Sequence, residues 1–434
     1  MRLTRSQIAI VIGAVALIIL GALVFLGVIP GLRSTSDETL KGELVIWGVD
    51  DQAAFNEAFV TPYNDLNPEV SISYRQFSED SYESALINAL ASGRGPDIFM
   101  VKNSWIPEHG DKLLPLTEQD YPLANLKNDF VDVVSADFHQ GGLTYALPLY
   151  VDSLTLFYNK DIFNNAGIIN PPKTWTELDA IIPALRRLNP AGRFVQVAAA
   201  LGGSKTNINR ASDLLSLFML QDRVEMVSED KSRASFALSG EVSFRRYLQY
   251  ANPISESYTW NDELRSADDE FANEDLAIIF DYSGKQRFFK EKNPFLNFAL
   301  APMPQKDAAS AINYASYWGL GVAKTSLNSG LAWNFIGSSL LSEASVQRYT
   351  QTTQRPPALR QLLARLGADA QKGFLVKQTL TARSWYQVDE DLVQISFSDA
   401  IAKVLNAQST PEAALAEAEA TITEELERSS SPSL

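Results

Sequence analysis

Apolar positions change rhythm along the chain, and each rhythm predicts a different element. Residues 8–29 carry no charge and consist almost wholly of Ile, Val, Leu, Ala, Gly and Phe. At about 1.5 Å per helical residue such a run reaches roughly 30 Å, the thickness of a hydrocarbon core, and it exceeds the ~7–15 apolar residues of a cleavable signal peptide. Arg2 and Arg5 precede it, which predicts a single membrane-spanning helix with residues 1–7 in the cytoplasm and the rest outside. No Ala-x-Ala site follows, so an uncleaved anchor is expected. Residues 30–41, with Ser34, Thr35, Ser36 and Asp37, read as a polar tether.

Beyond the tether the rhythm alternates. Residues 44–47 form a short apolar run suited to a buried strand, and Phe55, Phe59, Tyr63 and Leu66 recur at helical spacing. Val70, Ile72 and Tyr74 alternate as a strand, Tyr82, Leu86 and Leu90 mark a helix over 80–92, and residues 97–101 read as a third strand after Gly93-Arg94-Gly95-Pro96. This β-α-β-α-β order predicts a parallel sheet flanked by helices. Ligands bind such sheets beyond the carboxyl ends of the strands, which directs attention to Asp50 and Asp51, to Gln76 and Phe77, and to Asn103, Ser104 and Trp105.

A second αβ region opens at 143–158. In it Thr174-Trp175-Thr176-Glu177 fits a capping box for a helix running to about Leu188. Helices are expected over 211–221, 241–250 and 328–341, and strands over 276–280, 298–301 and 317–323. The last hundred residues read as nearly all helical, with a polar tail over 429–434. Some four hundred residues outside the membrane are too many for one ordinary domain and suit two lobes.

Composition narrows the chemistry. The formal charge is −15, and the part beyond Arg2, Arg5 and Arg33 stands at −18. Such a surface repels nucleic acid and anionic lipid, and solubility is its plainest role. No cysteine is present, so thiolate catalysis, disulfides and a lipidated Cys are excluded. With only His109 and His139, a histidine-based metal site is not expected, nor is any cofactor.

Four stretches resemble a known family. They are Gly42-Glu43-Leu44-Val45-Ile46-Trp47, Gly95-Pro96-Asp97-Ile98-Phe99, the run from Ala146-Leu147-Pro148-Leu149-Tyr150 through Tyr158-Asn159-Lys160-Asp161 to Thr174-Trp175-Thr176-Glu177-Leu178, and Trp318-Gly319-Leu320-Gly321-Val322 followed by Ala332-Trp333-Asn334-Phe335-Ile336. In order and spacing they are similar to the extracellular solute-binding proteins of sugar-type ABC importers, the maltose-binding-protein-like group. The resemblance implies an α/β, two-lobed periplasmic-binding-protein-like fold of type II that closes on a ligand. It implies one lobe from 42–149 with 283–345 and another from 151–281 with 346–428. It also implies a monomer that binds a small solute, by default a carbohydrate, and delivers it to ABC permease subunits without acting as an enzyme.

The same resemblance marks site residues, each with a plainer alternative. Asp50 is expected to touch ligand or to cap the next helix. Phe77 follows the second strand. Ser104 and Trp105 occupy a place where relatives hold charged sugar ligands, and a Trp there implies stacking. Asp152, beside Tyr150 at the first crossover, is a ligand acceptor or a hinge hydrogen bonder. Asp281 lies at the second crossover. Tyr317 and Trp318 are ligand contacts or core. Arg355 grips a solute or lies on the surface, and Trp385 stacks on sugar or packs between helices. Two other functions remain open: an anchored glycoside hydrolase using Asp50, Asp152 and Asp281, which needs two carboxylates flanking the scissile bond, and a receptor subunit reporting occupancy to a sensor.

Overall fold

A computed structural model describes residues 40–367 and 373–430. The anchor segment 8–29, most of the tether and residues 431–434 of the tail lie outside the described residues. Among the described residues no helix is long and apolar enough to cross a membrane. The final helix, Pro411–Ser430, takes in the first two residues of the expected tail.

Among the described residues fourteen strands follow the chain. They begin with β1 (Gly42–Gly48), β2 (Val70–Gln76), β3 (Ile98–Lys102), β4 (His139–Gln140), β5 (Leu143–Thr144), β6 (Leu147–Pro148) and β7 (Asp152–Asn159). They continue with β8 (Arg187–Leu188), β9 (Phe194–Ala199), β10 (Leu276–Tyr282), β11 (Phe298–Ala301), β12 (Asn313–Ser316), β13 (Trp318–Val322) and β14 (Ala382–Arg383). One large sheet has the order β2-β1-β3-β13-β6, a second β14-β12-β7-β10-β9-β8 with β11 also on β7, and β4 and β5 pair as a small third. β1 is parallel to β2 and β3, as helical crossovers require, while β13 runs antiparallel to β3 and β6. The unbroken apolar run Ile98, Phe99, Met100 and Val101 suits the centre of the first sheet, where all four are fully buried.

Each large sheet has its own core. Leu44, Phe55, Tyr82, Phe99, Leu320 and Phe335 belong to the first, and Leu154, Phe157, Leu214, Phe280, Phe397 and Leu415 to the second. The chain passes between sheets through buried Leu149, Tyr150 and Val151, and returns through buried Tyr317. This differs from the expected division of lobes. β11 and β12 lie in the second sheet, antiparallel to β7 with Phe298 opposite Asn159 and Ala315 opposite Ser153, so 283–316 goes with the second lobe. Conversely Val346, Tyr349, Leu362 and Leu363 join the first core, with the Tyr349 ring 4.8 Å from that of Phe59. Sheet pairing and core packing decide this, and neither is written in local periodicity.

Local signals are mostly kept. Asp51 caps the helix that starts at Gln52 by accepting from Ala54 N at 2.9 Å, and that helix relaxes into a π turn over Asn56–Val60. Thr174 accepts from Glu177 N at 3.1 Å, while Glu177 reaches back to Lys173 N at 2.7 Å. The helix stops at Leu185 rather than Leu188, because Arg187 and Leu188 pair with β9.

The two glycines of β13 have a steric reason. A Cβ on Gly319 would lie 2.7 Å from the carbonyl oxygen of Leu147, and one on Gly321 would lie 2.5 Å from Leu113 and 3.0 Å from the carbonyl oxygen of Tyr145. They let β13 lie close against 145–147, where the chain approaches the first crossover. Gly319→Ala is expected to destabilise the chain by about 1–3 kcal/mol, since the obstructing atom is backbone. Denaturant titration checks this, and an unchanged midpoint would contradict it.

Candidate functional site

The ends of β3 and β10 and the two crossovers converge on a cavity of about 230 Å³. Tyr150 and Asp152 wall it at the first crossover, Ser316 and Trp318 at the second, Asp281 and Tyr282 at the end of β10, and Lys102 at the end of β3. Glu79, Arg210, Gly284, Lys285, Phe288 and Arg355 complete the lining.

Each cation of this lining meets an acid. Arg210 Nε donates to Asp281 Oδ1 at 2.9 Å, Lys285 Nζ to Asp268 Oδ2 at 2.8 Å, Lys102 Nζ to Glu390 Oε1 at 2.5 Å, and Arg355 Nη1 to Asp50 Oδ1 at 2.6 Å. Burial works against the charge of Arg210, but Asp281 and then Asp213 outweigh it and raise its pKa. Burial likewise opposes the charges of Lys102 and Glu390, and their mutual attraction wins in both, so the lysine is shifted up and the glutamate down. The Asp152 and Asp213 carboxyls are raised, chiefly by burial.

The pairs still have hydrogen-bonding capacity. Asp281 Oδ1 takes both Arg210 and the backbone N of Tyr282 at 2.8 Å, which leaves Oδ2 as an acceptor. Arg210 commits only Nε at hydrogen-bond distance, with Asp213 3.9 Å from Nη1. Trp318, Tyr150, Tyr282 and Phe288 add aromatic surface. The arrangement offers donors, acceptors and flat apolar faces within one small space.

Of the residues expected at the site, Tyr150, Asp152, Asp281, Trp318 and Arg355 come together here. Asp152 is also the hinge bonder of the alternative reading, accepting from Ser283 Oγ at 2.9 Å and Gly284 N at 3.1 Å. Asp50 is turned away from the cavity lining. It holds Arg355 and accepts from Tyr349 Oη, and the helix cap falls to Asp51. Arg355 in turn lies over the Tyr150 ring at 4.4 Å.

Phe77, Trp105 and Tyr317 pack inward. Phe77 sits 4.7 Å from the Trp47 ring under the Arg75 guanidinium. Trp105 stacks on Tyr82 with ring centroids 6.0 Å apart and meets Trp318 edge-on, and Tyr317 is fully buried. Ser104 and Trp385 line a second interlobe cavity of about 320 Å³, where Trp385 Nε1 donates to Ser216 Oγ at 3.2 Å. Sequence reasoning missed Lys102, Arg210 and Glu390. Lys102 left a signal as the single charge closing an apolar strand, whereas Arg210 and Glu390 meet partners far away in sequence.

The second cavity contains a buried acid. Asp137 accepts from Tyr317 Oη at 2.8 Å, Asn103 Nδ2 at 3.0 Å and Ser384 Oγ, and burial pushes its pKa up to about 6 in spite of these bonds. The native carboxyl therefore keeps a proton that the unfolded chain releases near 4, so its contribution to stability falls as pH rises from about 4 to about 6. Asp137→Asn is expected to remove this slope, changing the wild-type-minus-variant stability by up to about 3 kcal/mol across that window. Thermal melts of both chains at stepped pH check it, and parallel profiles would contradict it.

Comparison with known proteins places the chain. Residues 47–344 match the sequence profile of the family described as bacterial extracellular solute-binding protein. The maltotriose-binding protein of Pyrococcus abyssi (strain GE5 / Orsay) is 27% identical over 144 residues, 33% of this chain and 30% of that protein. The mannitol-binding protein of Pseudomonas aeruginosa is 23% identical over 275 residues, 61% of each. The chain spans 30% of the length of the first curated relatives it matches. Among solved structures, the cyclic alpha-maltosyl-1,6-maltose binding protein of Arthrobacter globiformis superposes with a TM-score of 0.74 at 20% identity, covering 90% of this chain and all of that one, a likeness of fold.

Proposed function

The chain belongs to the bacterial extracellular solute-binding protein family, and from that premise we propose that it captures an uncharged carbohydrate between its two large sheets and delivers it to an ABC importer. The observation that carries the carbohydrate reading is the pairing of each cavity cation with an acid. A hydroxyl both donates and accepts, so vicinal hydroxyls are served by a carboxylate and a guanidinium that already hold each other and retain spare valences. Asp281 with Arg210 is such a pair. Trp318 and Phe288 line the same space with apolar aromatic surface for a sugar ring. An anionic solute would meet cations whose charge is already balanced by an acid. Relatives that bind maltotriose and mannitol support the same class.

The magnitudes suffice. Hydrogen bonds to charged groups contribute about 1.5–3 kcal/mol each. Three or four of them with stacking reach the roughly −8 kcal/mol of micromolar binding after association costs. Binding is favoured over hydrolysis because Asp152 is taken up by Ser283 and Gly284, while Asp281, ion-paired with Arg210, offers the solute an acceptor and no proton. A glycosidase needs one such acid free to give a proton to the leaving group.

The protein is held at the membrane by residues 8–29, with its binding unit outside and facing the permease, and works as a monomer. The unbroken apolar run after Arg2 and Arg5 and the extracellular character of the family support this placement. Native mass spectrometry of the full chain with a panel of neutral mono- and oligosaccharides and their phosphorylated counterparts tests the reading. Adducts with neutral members are expected, and adducts with phosphorylated members alone would overturn it.

A further inference from the structure

We propose that Glu390 sets how long a solute the cleft accepts, an inference that rests on the carbohydrate reading and deepens it. Two cavities lie between the lobes, of about 230 and about 320 Å³. Lys102 lines the first, and Ser104, two residues on, lines the second. Glu390, on the helix Glu390–Leu405 of the opposite lobe, bonds both. Its Oε1 accepts from Lys102 Nζ at 2.5 Å and its Oε2 from Ser104 Oγ at 2.7 Å. Gln394, one turn along, donates to Oε1 at 3.0 Å, so both carboxylate oxygens are engaged. The three bonded side chains form a partition across the cleft.

Chemistry on the far side of the partition matches that on the near side. Trp385 and Tyr386 supply aromatic surface there, and Gln140, Ser228 and Lys231 supply polar groups. The near cavity falls below the roughly 300–1,000 Å³ of pockets for drug-sized ligands, so it suits one or two sugar rings. A short solute occupies it and leaves the partition in place. A longer chain has to pass Glu390. The Lys102 and Glu390 side chains are only 13% and 15% exposed, so parting them strands two nearly buried charges. Removing the carboxylate joins the cavities into one groove.

Equilibrium titration of the full chain with glucose, maltose, maltotriose and maltotetraose, and with the mannose-based series of the same lengths, tests this. In the wild type Kd is expected to rise at least about tenfold between the best short sugar and the tetrasaccharide. Glu390→Ala is expected to shift that ratio about tenfold or more towards the longer chains, with Glu390→Gln, which keeps the bulk and the Ser104 bond, in between. Should Glu390→Ala fail to fold, Lys102→Met opens the partition from the other lobe and must shift the ratio the same way. An unchanged ratio in the folded variant overturns the role of Glu390 alone. Failure of the wild type to bind any of these sugars overturns the carbohydrate reading and this inference with it.

Discussion

Asp281→Asn is expected to raise the Kd of the solute by about 100-fold while the chain stays folded. The carboxylate is 1% exposed, and in the proposed function it acts twice, with Oδ2 accepting from the solute and Oδ1 holding Arg210, which lines the same cavity. Losing one hydrogen bond to a charged group weakens binding by about 1.5–3 kcal/mol, and removing the charge that holds Arg210 weakens a second. Together these give the two decades expected, at about 1.4 kcal/mol per tenfold. The amide keeps the shape and can still accept from Tyr282 N, so a melting temperature near that of the wild type accompanies the loss. A change of less than about twofold in Kd would remove Asp281 from the site.

Arg355→Met is expected to lower the melting temperature by on the order of 10 °C. Asp50 is 5% exposed and spends one oxygen on Arg355, so the substitution leaves a buried carboxylate with only the Tyr349 hydroxyl. Removing one partner of a buried pair costs about 3–5 kcal/mol, and a lobe of roughly 150–250 residues loses about 2–4 °C per kcal/mol. The guanidinium also covers the Tyr150 ring at 4.4 Å, so a wall of the cavity loosens with it. Asp50→Asn combined with Arg355→Met is expected to be less damaging than Arg355→Met alone, because no charge is then stranded. Thermal melts of Arg355→Met, Asp50→Asn and the double variant check this, and additive losses would contradict it.

Much of the first lobe was legible because its signals are local. The helical recurrence of Phe55, Phe59 and Tyr63 and the alternation of Val70, Ile72 and Tyr74 need no distant partner, and both elements form where they are expected. The rule that ligands sit beyond strand ends found the neighbourhood of the site but not the direction of each side chain. Asp50 and Asp51 stand side by side after β1, yet one turns to Arg355 and the other caps a helix. Ser104 and Trp105 follow β3, and one faces Glu390 while the other turns in against Tyr82. These choices are made by residues brought up from elsewhere in the chain.

Distance in sequence explains the rest. Arg210 and Asp281 are 71 residues apart, and Lys102 and Glu390 are 288 apart, so no window of sequence contains either pair. The assignment of β11 and β12 to the second sheet depends on β7 accepting them along an antiparallel edge, a match that their own apolar pattern leaves open. Family resemblance placed the crossovers beside Asp152 and at Asp281. The chain does pass between the sheets at Tyr150, beside the cavity. But β10, β11 and β12 all stay in the second sheet, so the return comes at Tyr317, packed against Asp137, and not at Asp281.

Hydrogen–deuterium exchange of the full chain, with and without the neutral sugar that binds it best, tests the central claim most directly. Protection is expected to concentrate at both crossovers, around Tyr150 to Ser153 and Ser316 to Trp318, and at Arg210 and the stretch from Asp281 to Phe288, where the cavity is built. Protection absent from these segments, or confined to a surface elsewhere on the molecule, would contradict it.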